Sequence, residues 1–345
     1  MIITFLAAVL LTLIGVRFHR QGIRPDYISI SSTMAVKGFF VLLVFLRHYK
    51  GFVELEGPLD QPFLTLDSWL SQLIVALFLF YSGYGVYLSW MKKGDAYRRT
   101  MPKKRLLATL LHFDLAVLLY MILNWILDND YGLRKNISAL LAWETIGNSN
   151  WFVWVILMLY LVTWAALTLI PSRVGQLTAV TVAAGVYALI FHQVYPDFWW
   201  WYDTAFCYAA GMWYAYFQPQ IEGFLSRDSR YWGTLAGTAA VFLVLFYFRD
   251  TAIPVYQLLS VVFSLLVVLV TMKVRFGNKV ICWFGQQVFT IYILQRLPMI
   301  VLERLGVAAN PWLFLAGSFL ATVALAALFD RALRLFDQKV LKIGG

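Results

Sequence analysis

Long apolar runs constrain this chain more than any other feature of its sequence. A helix of about 20 residues crosses a hydrocarbon core of about 30 Å, and apolar runs of roughly that length recur from one end of the chain to the other. Only 13% of the residues are charged, against about one quarter in ordinary soluble proteins. The sequence therefore predicts an all-α, polytopic membrane helix bundle of about eleven transmembrane helices, and it excludes a soluble globular domain.

The expected helices follow one another with only short connections between them. They are Ile2–Val16, Met34–His48, Ser68–Trp90, Lys104–Leu127, Trp151–Ile170, Gln176–His192, Trp200–Phe217, Tyr231–Phe248, Ala252–Met272, Trp283–Leu302 and Trp312–Phe329. No repeat or hydrophilic linker interrupts the series, so we expect one integral membrane domain over residues 1–345. It divides into an extra N-terminal helix and loop (1–33), a ten-helix core (34–329) and a cytoplasmic tail (330–345).

The basic residues indicate how the chain is oriented. When the loop after the first helix is taken as cytoplasmic, 21 of the 28 Lys and Arg residues fall on the cytoplasmic side, as the positive-inside rule requires. The charges follow the first apolar run instead of preceding it, so we expect a retained helix and not a signal peptide. We expect a multi-pass protein of the cell membrane, with its N-terminus outside and its C-terminus in the cytoplasm.

The net charge of +10 does not indicate a nucleic-acid partner, because the basic residues lie in short gaps between apolar runs. Cys207 and Cys282 lie in or beside apolar segments. We therefore expect neither a disulfide framework nor a metal site.

The second apolar run carries two titratable residues, Lys37 and His48. They are eleven positions apart, which places them on one face of a helix and about 16 Å apart along its axis. Ionisable residues in a membrane usually face a cavity or a partner, which favours a functional site. The alternative is structural, with Lys37 reaching the headgroups and His48 ending the helix.

Other polar and small residues within the runs have the same two interpretations. Ser82, Gly83 and Tyr84 belong to a segment whose small residues allow close approach of another helix or of a ligand. A basic loop that includes Arg99, Lys104 and Arg105 either anchors the chain to anionic lipids or binds phosphate groups. We also expect Asp114, Gln295 and Arg296 to face the interior of the bundle.

Several short motifs resemble those of the acyltransferase 3 family of membrane-bound acyltransferases. They are Lys37-Gly38 followed by Arg47-His48, the segment Phe80-Tyr81-Ser82-Gly83-Tyr84, the segment Lys103-Lys104-Arg105-Leu106-Leu107, the pair Trp151-Phe152, and the stretch from Gly285 to Tyr292-Ile293-Leu294. The resemblance runs from about Met34 to Phe329, and without the first helix the ten expected helices match the family core. The chain departs from the family pattern at Ala108, Val288 and Gln295.

The resemblance implies that an acyl group, most simply acetyl, moves from cytoplasmic acyl-CoA to a hydroxyl of a surface polysaccharide or lipid-linked saccharide. It implies His48 as the catalytic base and a donor site of Lys37, Arg99, Lys104 and Arg105. The cavity would be lined by Ser82, Gly83, Tyr84, Asp114, Gln295 and Arg296. Acyl-CoA would be a co-substrate, with no permanently bound cofactor, and membrane lipids and the saccharide acceptor would be the other partners.

Two alternatives remain from the residues alone. A saccharide or lipid-intermediate transporter would use the same buried polar residues without acyl chemistry. The second alternative is a structural subunit of an envelope-polysaccharide assembly, which would carry out no acyl chemistry. Dependence on coenzyme A would distinguish the acyltransferase from both alternatives.

The charge distribution makes a testable prediction about topology. Reporter fusions at Ser226 and at Gly345 are expected to report the cytoplasmic side, because both positions belong to connecting segments that the basic residues assign to that side. An extracytoplasmic signal at either position would contradict the assignment and reverse the two sides of the protein.

Overall fold

Most residues of the computed structural model, which describes residues 1–343, lie in helices. The sixteen α-helices of this part of the chain are α1 (Ile2–Leu13), α2 (Ile30–Tyr49), α3 (Gln61–Leu70), α4 (Leu73–Lys93), α5 (Asp95–Met101), α6 (Ala108–Ile126), α7 (Gly132–Leu140), α8 (Trp151–Leu169), α9 (Arg173–Val194), α10 (Phe206–Leu225), α11 (Asp228–Tyr247), α12 (Ile253–Lys273), α13 (Lys279–Gln286), α14 (Val288–Leu294), α15 (Arg296–Arg304) and α16 (Pro311–Phe336).

Short irregular elements join these helices. They are π-helical turns at Pro102–Leu107 and Asp337–Leu341, 3-10 turns at Pro196–Trp201 and Val307–Ala309, and two strands, β1 (Arg17–Phe18) and β2 (Val274–Arg275), which pair antiparallel. The pairing ties the loop after α1 to the loop after α12.

Seven helical segments within residues 1–343 are long and apolar enough to cross a membrane. They are Ile30–Tyr49, Gln61–Lys93, Asp95–Ile126, Trp151–Leu169, Arg173–Val194, Ile253–Lys273 and Pro311–Leu341. The all-α, multi-pass architecture predicted from the sequence is confirmed. The count of eleven transmembrane helices and the division into 1–33, 34–329 and 330–345 stay predictions.

Two of the expected runs form different elements. The run Ile2–Val16 becomes α1 with only 12 residues, about 18 Å of helix, and Gly15 follows with a positive φ of 75°. The run Trp283–Leu302 becomes the three short helices α13, α14 and α15. At the first break the side-chain oxygen of Gln287 accepts a hydrogen bond from the Thr290 hydroxyl at 2.8 Å, and such local bonds compete with regular helix.

The ends of two other helices also differ from the expected bounds. The run expected to begin at Trp200 opens with a 3-10 turn, so that α10 begins at Phe206 and continues to Leu225. The last helix extends beyond Phe329 to Phe336, into the segment expected as a tail. The final two residues of that tail, Gly344 and Gly345, lie outside the described residues.

Glycines bring two pairs of helices into backbone contact. A Cβ atom added at Gly83 of α4 would overlap the carbonyl group of Tyr208 on α10, and one added at Gly211 of α10 would overlap that of Phe80 on α4. Small residues allow membrane helices to pack this closely, where van der Waals contact replaces the hydrophobic driving force. The position of α4 is therefore set by α10.

Helix α2 has the same relation to α13. A Cβ atom at Gly38 would overlap the Ile281 carbonyl, and one at Gly285 would overlap the Met34 carbonyl. Because Gly38 directly follows Lys37, the crossing also fixes the position of the Lys37 backbone within the bundle.

Polar contacts fix both ends of α2. Near its N-terminus, buried Arg24 donates to the Val274 carbonyl at 2.8 Å and to the Ser32 hydroxyl at 2.7 Å. Near its C-terminus, the buried carboxylate of Asp67 forms ion pairs with Arg47 and Lys50. Helix α2 is thus held along its length and at each end.

The helix crossings predict a difference between two glycines on α4. Gly83→Ala is expected to destabilise the protein by about 1–3 kcal/mol, the usual cost of overpacking a close contact. Gly85→Ala is the matched control, because a Cβ atom there meets nothing within 4 Å. Thermal unfolding of both purified variants in detergent measures the difference, and equal midpoints would contradict the close crossing.

Candidate active site

Two cavities lie one above the other along the same four helices. The Lys37 cavity has a volume of about 1040 Å³ and the His48 cavity about 820 Å³, and each is named after the residue of α2 that lines it. Helices α4, α8 and α14 also contribute lining residues to both. Volumes of this order suit small-molecule and cofactor sites.

Three basic side chains belong to the lining of the Lys37 cavity. Lys37, Lys92 and Arg105 line it. In the part of the chain that the structure describes, none of the three has an acidic partner within 4 Å, since all nine ion pairs found there involve other residues. Three unpaired cations at one cavity provide donors for an anionic group such as a phosphate.

Hydrogen-bonded polar side chains also line the Lys37 cavity. Ser82 and Tyr160 bond through their hydroxyls at 2.6 Å. The Tyr84 hydroxyl donates to Gln218 at 2.8 Å, and Gln218 donates to Glu222 at 2.7 Å. All five residues line the cavity, so its lining combines cations with hydroxyl, amide and carboxylate groups.

The His48 cavity combines an imidazole with further cations. Arg47, Lys50 and Arg296 line it together with His48, and the His48 ring lies 6.4 Å from the ring of Tyr292. Hydrogen bonds engage the rings of His112 and His192, whereas none is found for His48 within residues 1–343. A half-buried imidazole whose nitrogens are free can exchange a proton with a ligand.

An aromatic layer lies between the two cavities. It consists of Phe78 and Phe152, which line the Lys37 cavity, and Tyr292, which lines the His48 cavity. The ring of Phe152 lies 6.3 Å from that of Phe78 and 5.7 Å from that of Tyr292. The cavities have no lining residue in common, so the layer is where they adjoin.

Only some of the site residues predicted from the sequence line one of the two cavities. Lys37, Arg105, Ser82 and Tyr84 line one cavity, while His48 and Arg296 line the other. The remaining five line neither of the two, as judged over residues 1–343; they are Gly83, Arg99, Lys104, Asp114 and Gln295.

Local packing explains most of these differences. Gly83 is covered by the backbone of α10, whereas Gly85 of the same segment faces the Lys37 cavity. Gln295 is fully buried and donates to the Tyr292 carbonyl at 3.4 Å. Arg99 and Lys104 are exposed at the surface near Arg105.

Asp114 is half-buried on α6, and its Oδ1 atom has no hydrogen-bond partner among the described residues. The neighbouring His112 bonds instead to Asp337 at 2.7 Å. The partner of Asp114 is therefore not assigned.

Sequence reasoning missed several lining residues. Trp199, Trp200 and Trp201, of a residue type enriched at membrane surfaces, line the His48 cavity in the structure. Asn148 and Ser149 also line it, and both are buried. The polar run directly before the apolar helix α8 was the available signal for this pair.

The helices and cavities define a multi-pass membrane protein with adjoining cationic and histidine-containing sites. The family model described as an acyltransferase domain, that of the acyltransferase 3 family, matches residues 30–331. The chain belongs to this family and is a membrane acyltransferase. In the same comparisons, no curated protein matched the chain, and no solved structure matched it either.

Proposed function

We propose that the protein transfers an acetyl group from cytoplasmic acetyl-CoA to a hydroxyl of a saccharide on the outer side of the cell membrane. The observation that carries the proposal is the pair of adjoining cavities on one helix. Lys37 and His48 are separated by about 16 Å of α2, a length comparable with an extended pantetheine arm. The phosphate end of the donor would therefore lie near Lys37, and its thioester end would lie near His48.

The donor binds with its phosphates in the Lys37 cavity. Lys37, Lys92 and Arg105 supply the positive charge there, and the exposed Arg99 and Lys104 add to it near the mouth. This cavity faces the cytoplasm because the basic loops of the chain belong to that side. The pantetheine arm passes Phe152 and Tyr292 to bring the thioester toward His48.

The transfer proceeds directly within a ternary complex. His48 removes the proton of the acceptor hydroxyl as its oxygen attacks the thioester carbonyl carbon. The tetrahedral intermediate then collapses, the carbon–sulfur bond breaks, and the departing thiolate takes the proton from the imidazolium. The products are the acetyl ester and free coenzyme A, and His48 returns to its neutral form.

Membership of an acyltransferase family favours this function over the transporter and the structural subunit considered from the sequence. Both alternatives predict that coenzyme A derivatives do not bind. Binding and transfer of labelled acetyl-CoA by the purified protein therefore decide between the three.

The first prediction of the mechanism concerns the base. His48→Ala is expected to lower the transfer of labelled acetyl from acetyl-CoA by about 10²- to 10⁴-fold, the usual contribution of a general base, and to leave donor binding nearly intact. His192→Ala is the matched control, because His192 is exposed and lines neither cavity within the described chain. Near-normal transfer by a folded His48→Ala protein would remove His48 from the mechanism.

The second prediction concerns the donor site. Arg105→Ala is expected to weaken the binding of a non-hydrolysable acetyl-CoA analogue about tenfold or more, because a charge-assisted hydrogen bond contributes about 1.5–3 kcal/mol. Lys103→Ala serves as the control, since Lys103 is exposed on the same π-helical segment and has no lining role. Equal affinities for Arg105→Ala and the unmodified protein would show that the basic loop serves topology alone.

A further inference from the structure

Aromatic residues make up a large part of the lining of the His48 cavity. We call Trp143, Phe191, Tyr195, Trp199, Trp200 and Trp201 the aromatic wall; all six line the cavity. The ring of Trp143 lies 5.9–6.1 Å from three of the others, at Phe191, Tyr195 and Trp201. Because these rings line the cavity, they are available to a ligand that enters it.

Trp and Tyr rings offer large, rigid contact area at a low cost in conformational entropy. Trp199 lines the cavity and remains 37% exposed. A pyranose ring presents one face of C–H groups, which packs on the face of a single aromatic ring. The rings around Trp143 meet it edge to face, so the wall offers separate ring faces and edges to a sugar.

Buried polar groups also belong to the lining of the cavity. The amide nitrogen of Asn148 and the hydroxyls of Ser149 and Tyr292 are buried, line the cavity, and have no hydrogen-bond partner within residues 1–343. All three side chains are more than nine-tenths buried. An unpaired buried polar group costs about 1–3 kcal/mol, and a ligand rich in oxygen atoms would recover this cost by accepting a hydrogen bond from any of the three that turns toward it.

The charge of the cavity is positive. Its lining includes four basic residues, Arg47, Lys50, Lys135 and Arg296, and a single acidic one, Glu144. Asp67 engages Arg47 and Lys50. Arg296 has no acidic partner within 4 Å in the described part of the chain, and its Nε atom is buried without a hydrogen-bond partner.

We propose that the acceptor is an acidic saccharide, with a sugar ring on the aromatic wall and its anionic group at Arg296. This proposal rests on the proposed function, because it assigns the acceptor to the cavity of the base. The anion is either a carboxylate of the sugar or a phosphate of a lipid carrier. In either case it is held by the guanidinium of Arg296, a group well matched to both.

The test uses the cell's own envelope saccharides as acceptors, with labelled acetyl-CoA and purified protein. The saccharides are separated by anion exchange into neutral and acidic fractions, and lipid-linked saccharides are extracted separately. We expect label in an acidic or lipid-linked fraction. Reduction of the carboxylates to alcohols should abolish transfer if the anion belongs to the sugar, and release of the lipid phosphate by mild acid should abolish it if the anion belongs to the carrier.

Two pairs of variants test the residues themselves. Trp199→Ala and Arg296→Gln are expected to lower kcat/KM for the acceptor at least tenfold with little change in kcat, and Trp199→Phe should restore most of the loss. Trp312→Ala and Arg304→Gln are the matched controls, since both residues are exposed and line neither cavity as far as the structure describes the chain. Binding of the acetyl-CoA analogue should be unchanged in all five variants.

The outcomes separate the two proposals. Preferential labelling of neutral saccharides, or transfer that neither chemical treatment reduces, would overturn the acidic acceptor while leaving acetyl transfer in place. Absence of both donor binding and transfer to every fraction would instead overturn the proposed function, and the acceptor assignment with it.

Discussion

Backbone contact between helices is the constraint on which both cavities depend. At Gly83 and Gly211, and again at Gly38 and Gly285, there is no room for a side chain between neighbouring helices. Because packing, and not the exclusion of water, drives helix association in a membrane, these crossings fix α4 against α10 and α2 against α13. The backbone next to these crossings is fixed, and Lys37, which lies beside Gly38, lines the interior cavity from it.

The two cavities separate two electrostatic tasks. The Lys37 cavity is lined by three cations without acidic partners among the described residues and by the hydrogen-bonded side chains of Tyr84, Gln218 and Glu222. The His48 cavity surrounds an imidazole with cations, of which Arg47 and Lys50 are already engaged by Asp67. The proposed donor and acceptor thus meet different surfaces, although both surfaces are built on the same helices.

The sequence predicted what depends on hydrophobicity and on spacing along one helix. Apolar runs predicted a helical membrane protein, and the interval between Lys37 and His48 placed them along α2, while their assignment to separate cavities required the structure. The break at Gln287 depends on a side chain that competes with backbone hydrogen bonds, which a run of apolar residues does not reveal. Trp199 belongs to the 3-10 turn Pro196–Trp201 and lines the His48 cavity, a placement that composition does not reveal.

The aromatic layer of Phe78, Phe152 and Tyr292 has an electrical consequence. A continuous column of water between the cavities would conduct ions, and each elementary charge crossing 100 mV releases about 2.3 kcal/mol. Apolar constrictions stop such conduction by expelling water, and the rings of this layer contact one another where the cavities adjoin. Each cavity can therefore be wet on its own side while the membrane keeps its voltage, so the enzyme can work without becoming a leak.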